Sequence, residues 1–193
     1  AIVAGNVAAR EETMPVASPF SSAETYRSRE WCEHRGVRMA AYFADARREY
    51  EAARGTAVLC DRSDRGLLVL DGRDRASWLH NLVTNAVKDL APDHGVYAFA
   101  CDVKGRIVSD LNVLARPDTL WLDVDRLALP PLRQHLESRL ITEAVQLADA
   151  SETYARLGVL GPHAADAVAR VGLTTAAELP ALVGATFDDS AYA

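Results

Sequence analysis

One stretch, Gly95 to Asp125, constrains this chain more than any other. It reads GVYAFACDVKGRIVSDLNVLARPDTLWLDVD and predicts three strands in succession. Val96 to Cys101 is a short apolar run closed by Asp102. Val103-Lys104-Gly105-Arg106 follows, with a glycine where a tight hairpin requires positive φ. Ile107 to Ala115 resumes the apolar pattern until Pro117-Asp118 breaks it. Leu120 to Asp125 alternates with period two. Leu120, Leu122 and Val124 fall on one face, and Trp121, Asp123 and Asp125 on the other.

Asp110 and Asn112 stand out inside this pattern, because Asp and Asn are depleted in strands. Two residues apart, they share a face with Val108 and Leu114. One reading is a meander with a wet face on which both groups are solvated. The other places a carboxylate on a sheet that lines a ligand cavity.

Composition narrows the choices. The chain has 193 residues, 49% hydrophobic and 25% charged, with a formal net charge of −6. That suits a globular domain with a substantial core and argues against a broad DNA footprint. No run of eighteen apolar residues predicts a membrane span. The N-terminal segment lacks the form of a secretory signal. Cys32, Cys60 and Cys101 form no zinc or CxxC pattern. They are expected to be reduced core thiols in a cytoplasmic protein. The chain opens at Ala1 and stops in VGATFDDSAYA, so it is expected to be a fragment and, in isolation, marginally stable.

Residues 1–22 are expected to be irregular, and residues 23–193 to form one domain that is incomplete at its C-terminus. Helices are predicted over 23–35, 46–54, 75–82, 130–140 and 163–171. Short strands are predicted near 37–43, 58–60, 66–70, 145–149 and 154–160. Helices and strands are interspersed without a βαβ series, so the predicted class is α+β. None of the histidines has an acid or nucleophile spaced to partner it. Arg62 and Arg65 are expected to be solvated turn charges, and Trp121 to pack across strands.

Four segments carry a family resemblance: REYEAARGTAVLCDRSDRGLLVLDG, WLHNLVTNAV, GVYAFACDVKGRIVSDLNVL and LGVLGPHAADAV. In this order, over Gly36 to Val171, they resemble the tetrahydrofolate-binding domain of the glycine cleavage T-protein and of YgfZ-type folate-binding proteins. The resemblance implies an α+β fold with an antiparallel meander and flanking helices around a ligand channel. It implies that Asp110, in GRIVSDL, is the catalytic and folate-binding carboxylate. Tyr97 would lie beside the ligand, with Asn112, Thr84 and Asn85 as further contacts.

The departures matter. Gly105-Arg106 stands where the T-protein has paired glycines, and Ser109 replaces the first of its two acids. The turn from Asp102 to Arg106 looks more like the YgfZ type, whereas that type often has Asn at the position of Asp110. The motifs lean toward a YgfZ-like protein giving folate-dependent support to iron–sulfur proteins. The alternatives are an aminomethyltransferase served by a lipoyl carrier protein and a non-catalytic interaction module. A concave site shared by Asp110 and Tyr97 would count against the module, whereas Asp110 on an open, solvated sheet face with no adjacent cavity would count against folate binding.

Overall fold

In a computed structural model, the chain is described over residues 16–18, 30–154 and 156–170. The centre is a five-stranded antiparallel sheet in the order β6-β7-β8-β5-β9. Its strands are β5 (Arg65–Asp71), β6 (Gly95–Cys101), β7 (Ile107–Ala115), β8 (Leu120–Asp125) and β9 (Gln146–Asp149). A short parallel strand β1 (Val16–Ala17) joins the hairpin of β2 (Glu30–His34) and β3 (Val37–Tyr42) in a second sheet. β4 (Val58–Asp61) and β10 (Leu157–Leu160) form an antiparallel pair. The helices are α1 (Ala46–Gly55), α2 (Arg75–His80), α3 (Leu129–Glu137) and α4 (Ala164–Arg170). The α+β class and the antiparallel meander are therefore as expected.

Strand alternation builds the core. Leu68 and Leu70 of β5, Leu111 and Val113 of β7, and Leu122 and Val124 of β8 are fully buried on one side of the sheet. Leu132 and Leu136 of α3, with Trp78 and Leu79 of α2, belong to the same cluster. In α3 the four-residue spacing puts Leu132 and Leu136 on one helical face, and Pro130 and Pro131 sit in its first turn, where their missing N–H groups cost nothing.

The hairpin between β6 and β7 is closed by its own residues. Gly105 takes φ +76°, and the Asp102 carboxylate accepts from Lys104 N at 2.8 Å and Arg106 N at 3.0 Å. The Arg106 guanidinium pairs with the same carboxylate at 2.6 Å. Helix α1 starts at Asp45, whose side chain accepts from Arg48 N at 2.9 Å.

Two expectations are corrected. The helix predicted for 23–35 is not formed over 30–34, which is strand β2; residues 23–29 lie outside the described residues. Arg35 (φ 53°) and Gly36 (φ 74°) make the turn that folds β2 against β3. Positive φ at both central residues is the signature of a twisted two-residue hairpin, and it outweighs helical charge spacing. Cross-strand contacts then hold the pair. Glu33 faces Arg38, Tyr42 Oη donates to Glu30 at 3.0 Å, and the Arg38 guanidinium lies 5.3 Å from the Trp31 ring centre. Cys32 is accordingly exposed rather than a core thiol, because β2 is largely open to solvent; Cys60 and Cys101 are half-buried.

Leu122 lies at the middle of the core. Leu122→Ala is expected to destabilise the protein by about 2–5 kcal/mol, as large-to-small core changes do. The shift in urea midpoint measures this, and a change within experimental error would contradict the packing described.

Candidate functional site

The side of the sheet facing away from the core carries a polar patch beside Leu67, Val69 and Leu114. Tyr97 and Phe99 come from β6, Asp110 and Asn112 from β7, Trp121, Asp123 and Asp125 from β8, and Arg65 from β5. Register brings them together: Phe99 lies opposite Asp110, Tyr97 opposite Asn112, Asn112 opposite Asp123, and Arg65 opposite Asp125. Side chains directly opposite one another on adjacent strands are within interaction range.

Tyr97 Oη donates to Asp110 Oδ2 at 3.1 Å. Tyr97 is 45% exposed and Asp110 half-buried, so the pair is open to a ligand. Partial desolvation, then the hydrogen bond to Asp110 and its charge, push the Tyr97 phenol above its ordinary range. The phenol therefore stays protonated and remains the donor. Asp110 Oδ1 has no hydrogen-bond partner among the described residues.

Beside this pair lies a charge cluster that sequence reasoning missed. Asp123 Oδ2 accepts from Arg65 Nε at 3.1 Å and Nη2 at 2.9 Å, and from Asn112 Nδ2 at 3.0 Å. Its Oδ1 accepts from Arg156 Nη1 at 2.8 Å, and that same nitrogen donates to Gly66 O at 2.8 Å. The side chains of Arg65 and Arg156 are only 15% and 17% exposed. Burial pulls the Arg156 guanidinium below its usual range, with Asp123 opposing that pull. Arg156 Nη2 is buried without an acceptor among the described residues.

Arg65 is thus not the solvated turn charge expected. It is the first residue of β5, and the pleat turns it across the sheet to Asp123. Arg62 does stay local, paired with Asp64 at 3.1 Å. The signal for Asp123 was available, since it is a second acid inside an alternating strand. Arg156 carried no comparable mark.

Thr84 and Asn85 are placed differently. Val83 bridges to Ala100, Thr84 Oγ1 accepts from Phe99 N at 2.9 Å, and Thr84 N donates to Phe99 O at 3.0 Å. Asn85 Nδ2 donates to Tyr97 O at 3.0 Å. These two residues complete the hydrogen bonding along β6, while Tyr97, Asp110 and Asn112 share the open face. Trp121 has its ring centre 4.9 Å from that of Tyr154, which lies in the loop between β9 and β10 rather than on a neighbouring strand. A cavity of about 320 Å³ lies elsewhere, between the exit of α2, the β6–β7 turn and α3. Thr84, Cys101, His135 and Arg139 are among its lining residues, and Tyr97, Asp110 and Asn112 are not.

The GCVT N-terminal domain model matches residues 13–185. The chain belongs to this family. It is 30% identical over 161 residues to the aminomethyltransferase of Bacillus velezensis, covering 81% of this chain and 42% of that protein. The aminomethyltransferase of Geobacillus kaustophilus is 32% identical over 132 residues, covering 68% of this chain and 36% of that protein. The crystal structure of glycine cleavage system aminomethyltransferase T from Bartonella henselae shares the fold, with a TM-score of 0.67 at 21% identity. That match covers 75% of this chain and 40% of the crystallised one. The chain therefore spans about two-fifths of the length of these relatives. Among the described residues, no helix is long and apolar enough to cross a membrane.

Removing Asp123 leaves Arg65 and Arg156 without their shared carboxylate. Asp123→Ala is expected to cost about 2–4 kcal/mol, somewhat under the figure for a wholly buried pair because Asp123 keeps some solvent contact. Thermal or urea unfolding measures the loss, and an unchanged midpoint would contradict a structural role for the cluster.

Proposed function

We propose that the protein binds tetrahydrofolate on the Tyr97–Asp110–Asn112 face and, in its complete form, uses it in a one-carbon transfer of the aminomethyltransferase kind. The observation that carries this reading is the Tyr97–Asp110 pair. The phenol fixes one carboxylate oxygen and leaves the other without a partner, on an open face next to an amide. Such a carboxylate fits an amine nitrogen that gains positive charge. Tetrahydrofolate supplies that nitrogen as the acceptor of a one-carbon unit. Asp110 stabilises the developing cation, and because its geometry is set beforehand it needs little reorganisation as the charge appears.

Thr84 and Asn85 serve this site indirectly in the same reading. They fix the β6 backbone on either side of Tyr97, and so the position of its ring. The kinship with aminomethyltransferases supports the transfer chemistry, with a lipoyl carrier protein as the partner that delivers the aminomethyl group. The turn from Asp102 to Arg106 resembles the YgfZ type, and its residues bond to one another to close the β6–β7 hairpin.

Calorimetry on the complete protein tests the site. Asp110→Ala is expected to weaken tetrahydrofolate binding by about 1.5–3 kcal/mol, the range for a charge-assisted hydrogen bond. Equal affinity would remove Asp110 as a ligand contact. Ammonia release from an aminomethylated lipoyl carrier tests the transfer. Folate binding without ammonia release would sink the transferase reading and favour folate-dependent support of iron–sulfur proteins.

A further inference from the structure

The Asp123 cluster dictates which way the Asn112 amide faces. A carboxylate has only acceptors, so the amide end that meets it is the NH2 group. Turning the amide over would set two oxygens against each other. Asp123 itself is held from two sides, by Arg65 on Oδ2 and Arg156 on Oδ1. It therefore cannot swing away to suit a different amide orientation. The result is that Asn112 Nδ2 is committed at 3.0 Å and Asn112 Oδ1 has no partner among the described residues.

Two residues along β7, Asp110 is in the same condition. Tyr97 holds its Oδ2, and its Oδ1 is unpartnered among the described residues. The two positions share a face and are about 7 Å apart along the strand. This part of the face thus offers a carboxylate oxygen and an amide oxygen side by side, both acceptors. A ligand that meets them has to bring hydrogen-bond donors. One that brings lone pairs meets repulsion and covers two acceptors without pairing them, which discriminates more sharply than a lost apolar contact.

We propose that Asn112 is a specificity-determining contact, and Asp123 its positioning residue, through which the site selects a reduced heterocycle bearing N–H groups over its oxidised form. This rests on the folate reading and deepens it. In a fully oxidised pteridine, the ring nitrogens at the junction with the second ring carry lone pairs and no hydrogen. In the tetrahydro form the same nitrogens carry N–H. Asp110 attracts the charge that forms during transfer, while Asn112 reads the reduction state of the ring before transfer begins. Arg65 and Arg156 act through Asp123 and do not touch the ligand.

The test measures affinities of the complete protein for tetrahydrofolate and for folic acid, without oxygen. The wild type is expected to prefer the reduced form. Asn112→Ala is expected to lower that preference about tenfold, the worth of one hydrogen bond at the upper end of its range. Its melting temperature should stay close to that of the wild type, because Asp123 keeps both arginines. Asp123→Asn should lower the preference in the same direction, since an amide there accepts either orientation of Asn112. Asn112→Ala carries the test if Asp123→Asn folds poorly. An unchanged preference in Asn112→Ala overturns the proposal. If Asp110→Ala still weakens binding in that case, the folate reading stands without it. Failure of the wild type to bind either form overturns both.

Discussion

A side chain on β7 can go only one of two ways, and the whole molecule turns on that alternative. Ser109, Leu111, Val113 and Ala115 go toward the helices and are buried, while Val108, Asp110, Asn112 and Leu114 go the other way. A slip of one residue against β6 or β8 would drive Asp110 and Asn112 into the cluster with Leu122 and Leu136 and expose Leu111 and Val113. Register is strongly specified wherever one face is packed. The packing that stabilises the fold therefore also sets the position of the polar face, so core and site are two sides of one constraint.

That polar face carries charge that open water would otherwise solvate. Asp123 accepts from two arginines and an amide, and each donor comes from a different part of the chain. Arg65 lies 58 residues from Asp123, Arg156 lies 33 and Asn112 lies 11. The cluster ties β5, β7, β8 and the approach to β10 at a single carboxylate. Buried ionic groups of this kind contribute little net stability when compared with a well-packed apolar alternative. Their use here is directional: they orient the Asn112 amide on the polar face.

What could be read from the sequence followed from periodicity. The alternation in Ile107–Ala115 and Leu120–Asp125 placed both strands, and it put Asp110 and Asn112 on one face of the first and Asp123 on one face of the second, because period two leaves no freedom within a strand; that the two faces coincide comes from the register of β7 with β8. The hairpin at Gly105 and the cap at Asp45 were legible for the same reason, since each is a local device. The strand at Glu30–His34 was not. Its charges recur at three- and four-residue spacings that suit a helix, and only the Arg35-Gly36 turn and the β3 partner decide otherwise. Arg65 and Arg156 were illegible as site residues, because their roles depend on a carboxylate far along the chain. Asp110 stood out as an acid inside an apolar strand and its role came from the family likeness, as did the choice of Tyr97; their hydrogen bond follows from the pairing of β6 with β7.

The treatment of β6 has a consequence for assembly. As the outermost strand of the sheet, it would ordinarily present a row of backbone groups to any extended chain that came near. Here Phe99 N, Phe99 O and Tyr97 O are already engaged by Thr84 and Asn85, and Ala100 by Val83. The protein has, in effect, added its own fragment of a sixth strand. A visiting peptide would have to peel residues 83–85 away before it could pair there, and Tyr97 would lose its backbone support in the process. Growth of the sheet on that side is thus coupled to loss of the Tyr97–Asp110 geometry, so a copy of the protein recruited into an aggregate through β6 would be expected to give up that pair as it joined.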